Sequence, residues 1–267
     1  MDPEKPDYQL NPNKVLLSMN RGINKSYGVR PIIFEQDEPF LNHLNQILLQ
    51  LMIGAYRTRA FIVASTIDYY FTCTSPFVFL GHRAFLDMAD RHNKTVVFKP
   101  FSIAAVWAES GSVPLPQRTK VRQQYRLIEL QRAAQYRKLK MNINPAHYPT
   151  DATLADLCCA ALVIRGENPA AFLKSVTTGL WAEQKQIADD KVLASLLDAN
   201  GHDADAVLSA ANEPEATALR AQNSEDAITA GAVGAPAYVY KGEAFWGQDR
   251  IEYLDVMLSS GRSAFSA

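Results

Sequence analysis

Apolar and polar positions fall into a clear pattern from Thr66 onward. Ile67-Asp68-Tyr69-Tyr70-Phe71-Thr72-Cys73 alternates and is rich in β-branched and aromatic residues, which predicts a buried strand. Ser75-Pro76 punctuates it, and the following FVFLGHRAFLDMADRH sets Phe77, Leu80, Ala84 and Met88 on one face, an amphipathic helix opened by that turn. Lys94 to Phe101 reads as a second strand. Strand, helix and strand in so short a span make a βαβ unit, so the two strands are expected to be parallel. From Pro116 to about Gly231 helical periodicity takes over, in LPQRTKVRQQYRLIELQRAAQYRKLK, TLADLCCAALVIRG, NPAAFLKSVTTGLWAEQ, DKVLASLLDANG, DADAVLSAA and PEATALRAQNSEDAITAG. Pro149, Gly166, Pro169, Gly201 and Pro214 mark the boundaries. Ala237 to Lys241 and Glu243 to Trp246, joined at Gly242, then predict a hairpin, followed by a helix from Asp249 to Ser259.

Strands at both ends with helices between them suggest an α/β fold interrupted by a helical insertion. A βαβ front and a ββα back together make a thioredoxin-like unit. The expected layout is a discontinuous thioredoxin-like domain over residues 65–115 and 230–262, with an all-helical insertion domain over residues 116–229. Residues 1–64 differ in character: two segments rich in Pro and Asn precede an apolar run from Phe40 to Ala64, with a helix expected at Glu38 to Tyr56. Two readings stay open here: an extension whose natural start is Met52, or an arm that packs on the domain or a partner.

Composition narrows the function classes. The 267 residues, 48% hydrophobic, can bury a substantial core. The 27 basic and 28 acidic residues nearly cancel, so no global charge favours nucleic acid or an anionic membrane as partner. Cys73, Cys158 and Cys159 are odd in number, two of them adjacent, a poor disulfide framework with no metal-ligand spacing; a reducing, cytoplasmic setting and no bound metal are expected. The start of the chain lacks a cationic segment followed by an apolar one, and Ile47 to Ala55 is too short to span a bilayer.

Two segments carry candidate chemistry. Cys73-Thr-Ser75-Pro76-Phe77 lies where a strand ends and a helix begins, the place where parallel α/β sheets bind ligands. Free N–H groups and the helix dipole there would lower the pKa of a thiolate, and Ser75 would offer a hydroxyl to it; ordinary capping by Ser-Pro explains the same residues without function. Gly231 to Arg250 is the second. Pro236 directly before a strand fits a cis Ala235-Pro236 bond that leaves a backbone edge open to a peptide-like ligand, and Gln248 with Asp249 open the last helix, where they would meet an amino-acid-like group. Capping by Asp249 and a trans proline remain the alternative.

Taken together, YYFTCTSPFVFLGH, the strand ending KPF, YRLIELQR, the HYPTD segment from His147 and GAVGAPAYVYKGEAFWGQDR resemble the 2-hydroxychromene-2-carboxylate isomerase family from about Ile67 to Leu258. That family is related to kappa-class glutathione transferases and, more distantly, to DsbA oxidoreductases. The resemblance implies a glutathione-dependent enzyme, reasonably a homodimer, acting on a small aromatic substrate. The Cys-Pro-x-Cys pattern of DsbA falls on Ser75-Pro76-Phe77-Val78, so disulfide exchange by that pair is excluded. The resemblance gives Ser75 the role of hydrogen-bonding the glutathione sulfur, with Pro76 and Phe77 lining the cofactor. It has Ala235, beside Pro236, pair its backbone with the tripeptide, and Gln248 with Asp249 hold the γ-glutamyl end. The family's asparagine after the second strand falls at Ser112, which weakens one contact.

The reaction so implied is reversible thiolate addition to an unsaturated 2-oxo acid, rotation about the former double bond and departure of the thiolate. Trp107 is a candidate for stacking on the substrate, or a core residue. Tyr125 and Arg122 are candidates for holding its carboxylate, within the stretch Arg118 to Lys140 that otherwise reads as a solvated face. Cys73 is expected to be an inert strand cysteine and Cys158 and Cys159 helix core. A kappa-like transferase shares every motif, and a cysteine-free thioredoxin-like binding module is the non-enzymatic alternative.

Overall fold

The computed structural model describes residues 66–266 together with Ile47, which is helical and exposed. The rest of the segment before Thr66, including the helix expected at Glu38 to Tyr56, lies outside the described residues. The chain forms two compact units, Met1–Tyr56 and Arg57–Ala267.

In the second unit the apolar alternation becomes strand β1 (Thr66–Phe71), and Ser75-Pro76 opens helix α1 (Pro76–Arg91). Strand β2 (Thr95–Pro100) runs parallel to β1, with Tyr69 opposite Phe98, as the short crossover requires. Helix α2 (Ile103–Ser110) follows; its eight residues lie in a stretch for which no helix is expected above. A 3-10 turn at Leu115–Gln117 replaces the expected helix start, and α3 spans Lys120–Tyr136. The insertion continues with α4 (Thr153–Ile164), α5 (Ala170–Trp181), α6 (Asp190–Ala199), α7 (Ala204–Ala211) and α8 (Pro214–Thr229).

The hairpin is β3 (Ala237–Tyr240) and β4 (Glu243–Trp246), turned by Lys241 and Gly242, both at positive φ, which suits the right-handed twist of paired strands. A 3-10 turn at Gln248–Arg250 leads into α9 (Ile251–Ser260), so the last helix starts two residues later than expected. The sheet order is β2-β1-β3-β4, with β3 antiparallel to both neighbours.

Because side chains alternate along a strand, β1 builds two cores at once. Ile67, Tyr69 and Phe71 face a large cluster that also takes residues from α1, α3 to α7 and α9, so the insertion and one face of the sheet share a core. Tyr70 faces the other side, with Phe101, Val106, Ala227, Ala232 and Ala237 beneath α2 and α8. Gly81 of α1 is needed for close approach: a Cβ there would stand 2.8 Å from the Gln248 Cβ. The second turn of α1 is thereby pressed on the loop that precedes α9.

Candidate functional site

The carboxyl end of β1 delivers Ser75 to the start of α1. Ser75 has extended backbone (φ −75°, ψ 124°), its Oγ accepts from the Val78 N–H at 3.3 Å, and its own N–H donates to the Thr72 carbonyl at 3.1 Å. Pro76 fills the first helical position without an N–H, which leaves the Phe77 N–H as a first-turn donor with no intrahelical acceptor. The Ser75 hydroxyl donates to the Ala235 carbonyl at 3.3 Å, so the two segments singled out in the sequence meet there, 160 positions apart. The Ala235–Pro236 peptide is cis, as is Tyr148–Pro149.

Underneath this turn sits a carboxylate that sequence reading passed over. Asp156 of α4 is fully buried and accepts from the Cys73 N–H (2.7 Å), the Thr72 hydroxyl (2.9 Å) and Arg220 Nη2 (3.1 Å). It ties the two residues that lead to Ser75 onto the insertion. Burial outweighs the Arg220 charge and these donors, holding the Asp156 carboxyl above its ordinary value. Burial likewise pushes the Cys73 thiol well up; its Sγ lies 3.9 Å from that of Cys159 inside the core. Cys73 therefore carries no thiolate at neutral pH, and the side chain that caps the helix start is the Ser75 hydroxyl.

The wall opposite Ser75 is the loop before β3. Gly234 lies against the Trp246 indole, where a Cβ would come within 2.6 Å of Nε1. The Ser110 hydroxyl reaches the Val233 carbonyl at 3.4 Å and Ser112 Oγ at 3.3 Å, which brings Ser112 to the same loop. The Gly247 N–H donates to the Pro236 carbonyl at 2.9 Å and thereby attaches the Gln248–Arg250 turn. Gln248 is buried, and Arg137 claims both of its oxygens: Nε donates to Oε1 at 3.0 Å and Nη2 to the main-chain carbonyl at 2.6 Å. Asp249 is exposed and pairs with Arg250 at 2.6 Å.

Of the candidate residues, Ser75, Pro76, Phe77, Ala235 and Pro236 thus form one cluster, with Gln248 and Asp249 joined to it through the Gly247–Pro236 main-chain bond and Ser112 linked only through the Ser110 hydroxyl. Trp107 lies apart on α2, half-buried, with the Arg118 guanidinium 5.5 Å over its ring. Tyr125 is not brought to the cluster: it is 57% exposed on α3, its ring beside Arg132. The next residue, Arg126, is half-buried against Tyr148.

Arg137 and Asp156 were missed, although each carried a signal. Arg137 continues at helical spacing the buried stripe of Leu130, Ala133 and Ala134, and Asp156 is a lone carboxylate in an apolar run. His82 is buried between the Tyr69 hydroxyl and the Ala170 carbonyl, and burial lowers its pKa to about 4. Among the described residues no group of three or more His, Cys, Asp or Glu side chains is placed to hold a metal ion, and no helix is long and apolar enough to cross a membrane.

Residues 66–259 match the family model of the DsbA-like thioredoxin domain. The chain is similar to a 2-hydroxychromene-2-carboxylate isomerase of Sphingobium xenophagum, 28% identical over 199 residues that cover 73% of this chain and 99% of that protein. Among solved structures, a 2-hydroxychromene-2-carboxylate isomerase superimposes with a TM-score of 0.63 at 23% identity, covering 73% of this chain and 95% of that one. The cytosolic disulfide reductase DsbM of Pseudomonas aeruginosa, solved with GSH, gives 0.55 at 16% identity, covering 73% and 98%.

Proposed function

The chain belongs to the DsbA-like thioredoxin family, and on that footing we propose that it is a glutathione-dependent isomerase of the 2-hydroxychromene-2-carboxylate type. The observation that carries the reading is the Ser75 hydroxyl, seated at the N-cap of α1 and reaching the Ala235 carbonyl, where the oxidoreductase pattern has a thiol. A protein without a usable thiol at that point needs one from outside, and the site residues suit a thiol-bearing peptide. Ser75 and the Phe77 N–H would hold the sulfur, the main chain at Ala235 the peptide backbone, and Asp249 the terminal ammonium. With Gln248 Oε1 already taken by Arg137, the Gln248 amide nitrogen is the group left to meet a carboxylate.

Bound glutathione would supply a thiolate that adds reversibly to the unsaturated 2-oxo acid and leaves after bond rotation. The chain's own residues prepare for this. The Ser75 hydroxyl turns from the Ala235 carbonyl, a long contact at 3.3 Å, to donate to the sulfur anion. The positive end of α1 lowers the cost of that charge, and Asp156 holds Thr72 and Cys73 so that the turn keeps its shape.

The test follows isomerisation of 2-hydroxychromene-2-carboxylate by absorbance with the purified full chain. Turnover is expected to require glutathione and to leave its free concentration unchanged. Ser75→Ala should lose roughly 10–100-fold in kcat/KM, the worth of one charge-assisted hydrogen bond, and about 1 kcal/mol of stability through the lost cap. Stoichiometric loss of glutathione would identify a transferase instead, and failure to bind glutathione would leave a binding module.

A further inference from the structure

The outer face of α3 carries an apolar row that the fold leaves exposed to solvent. Val121, Tyr125, Ile128 and Tyr136 are all between 45% and 74% exposed. At about 100° per residue these four and Arg132 fall within roughly 80° of one another, while Leu130, Ala133 and Ala134 turn into the core. From Val121 to Tyr136 the row follows the helix axis for about 22 Å at 1.5 Å per residue. Single apolar residues on a surface are ordinary, but four large ones on one helix face make a strip that calls for an occupant.

The charge around the strip is segregated. Residues 117–140 hold eight of the chain's 27 basic residues and one of its 28 acidic ones, so charge that cancels over the whole sequence does not cancel here. Lys120 and Arg122 are exposed and, at helical spacing, flank Val121 on opposite sides; Lys138 and Lys140, also exposed, follow the end of the helix. The single acid, Glu129, is paired with Arg132, whose guanidinium lies 5.9 Å from the centre of the Tyr125 ring.

This pattern selects among occupants. A second copy laid on the same face would bring two basic strips together, with one acid on each side to offset them. A nucleic acid would engage the cations but leave Val121 and Ile128 facing phosphate and water. An anionic bilayer uses both features: the cations meet lipid phosphates, the aliphatic side chains enter the acyl boundary, and tyrosine rings with polar tips sit between. We propose that the outer face of α3 is a docking surface for an anionic phospholipid membrane, on which the helix lies flat. Among the described residues no helix is long and apolar enough to cross a bilayer, so the attachment is peripheral, and a single face of this size holds reversibly. The inference is independent of the isomerase reading, and it gives the exposed Arg122 and Tyr125 a part other than holding a substrate carboxylate.

Cosedimentation of the purified full chain with vesicles tests it. On phosphatidylcholine mixed with phosphatidylglycerol, the partition coefficient at low salt should be at least about 10-fold higher than on pure phosphatidylcholine. It should fall toward the neutral value in about 1 M salt, where screening shortens to about 3 Å. K120Q/R122Q removes two cations, each worth about fivefold at an anionic surface, and should lower binding roughly 25-fold. V121S/I128S should lower it about 10-fold by removing apolar area. All four positions are exposed, far-ultraviolet circular dichroism checks folding, and either double variant decides if the other does not fold. Equal binding to neutral and anionic vesicles would overturn the proposal, as would full binding by both double variants, which would place lipid attachment elsewhere in the chain. Absence of binding to the anionic vesicles would overturn it too; a dimer in sedimentation velocity that V121S/I128S dissociates would then assign the face to a second copy.

Discussion

Arg137→Met tests whether the Gln248–Arg250 turn is held from the insertion. The wild-type side chain is only 12% exposed and joins the end of α3 to two buried oxygens of Gln248, at 3.0 and 2.6 Å, and to Glu252 at 2.9 Å. Methionine keeps most of the apolar stem contact, so the change removes donors rather than packing. Each charge-assisted bond to a neutral buried oxygen contributes about 1.5 kcal/mol. The pair with Glu252, which is 44% exposed, adds at most about 0.5 kcal/mol after screening by solvent. The expected loss is about 3 kcal/mol, or roughly 6–12 °C in Tm at about 2–4 °C per kcal/mol for a domain of this size. Urea denaturation followed by circular dichroism measures it. Arg137→Lys, able to reach one acceptor, should lose about half as much, and Glu252→Gln no more than about 0.5 kcal/mol. Since the same turn carries Gln248 and Asp249, glutathione affinity should fall together with stability. A loss below about 1 kcal/mol in Arg137→Met would refute the view that these bonds secure the turn.

Two further outcomes are expected. His82 is neutral in the folded state, with its pKa lowered to about 4 from 6.5. In the window between these values the unfolded chain binds a proton that the native state does not, so stability falls as pH drops, by up to about 1.4 kcal/mol per pH unit. Urea midpoints compared across that window should show a shallower slope in His82→Gln than in the wild type, the remainder coming from carboxylates such as Glu243 whose pKa is lowered; equal slopes would count against it. Gly81→Ala places a Cβ 2.8 Å from the Gln248 Cβ and 3.0 Å from the Tyr238 hydroxyl oxygen. Overpacking of about 1–3 kcal/mol should outweigh the helix gain of about 1 kcal/mol, so thermal denaturation should show a lower Tm; an unchanged or raised Tm would mean the contact yields.

Much of the fold could be read locally. The alternation of β1, the Ser75-Pro76 helix start, the helical periods of the insertion and the Lys241-Gly242 hairpin are encoded within a few residues of where they act, because backbone propensity and side-chain period are short-range properties. The sequence also determined that no redox pair stands at Ser75, and it singled out the two segments that the structure joins there.

Tertiary structure alone decided which polar residues those segments would meet. Arg126 lies on, and Arg137 caps, one basic helix that reads as solvated, yet Arg137 is spent on Gln248 and Glu252 while Arg126 is half-buried against Tyr148 with no carboxylate paired to it among the described residues. Asp156 supports a turn 83 residues before it, and Ser112 reaches the Val233 loop only through Ser110. A charged side chain has the same local pattern whether it ends in water or in the interior. What settles its role is the partner brought to it when distant elements pack, and chain spacing does not carry that information.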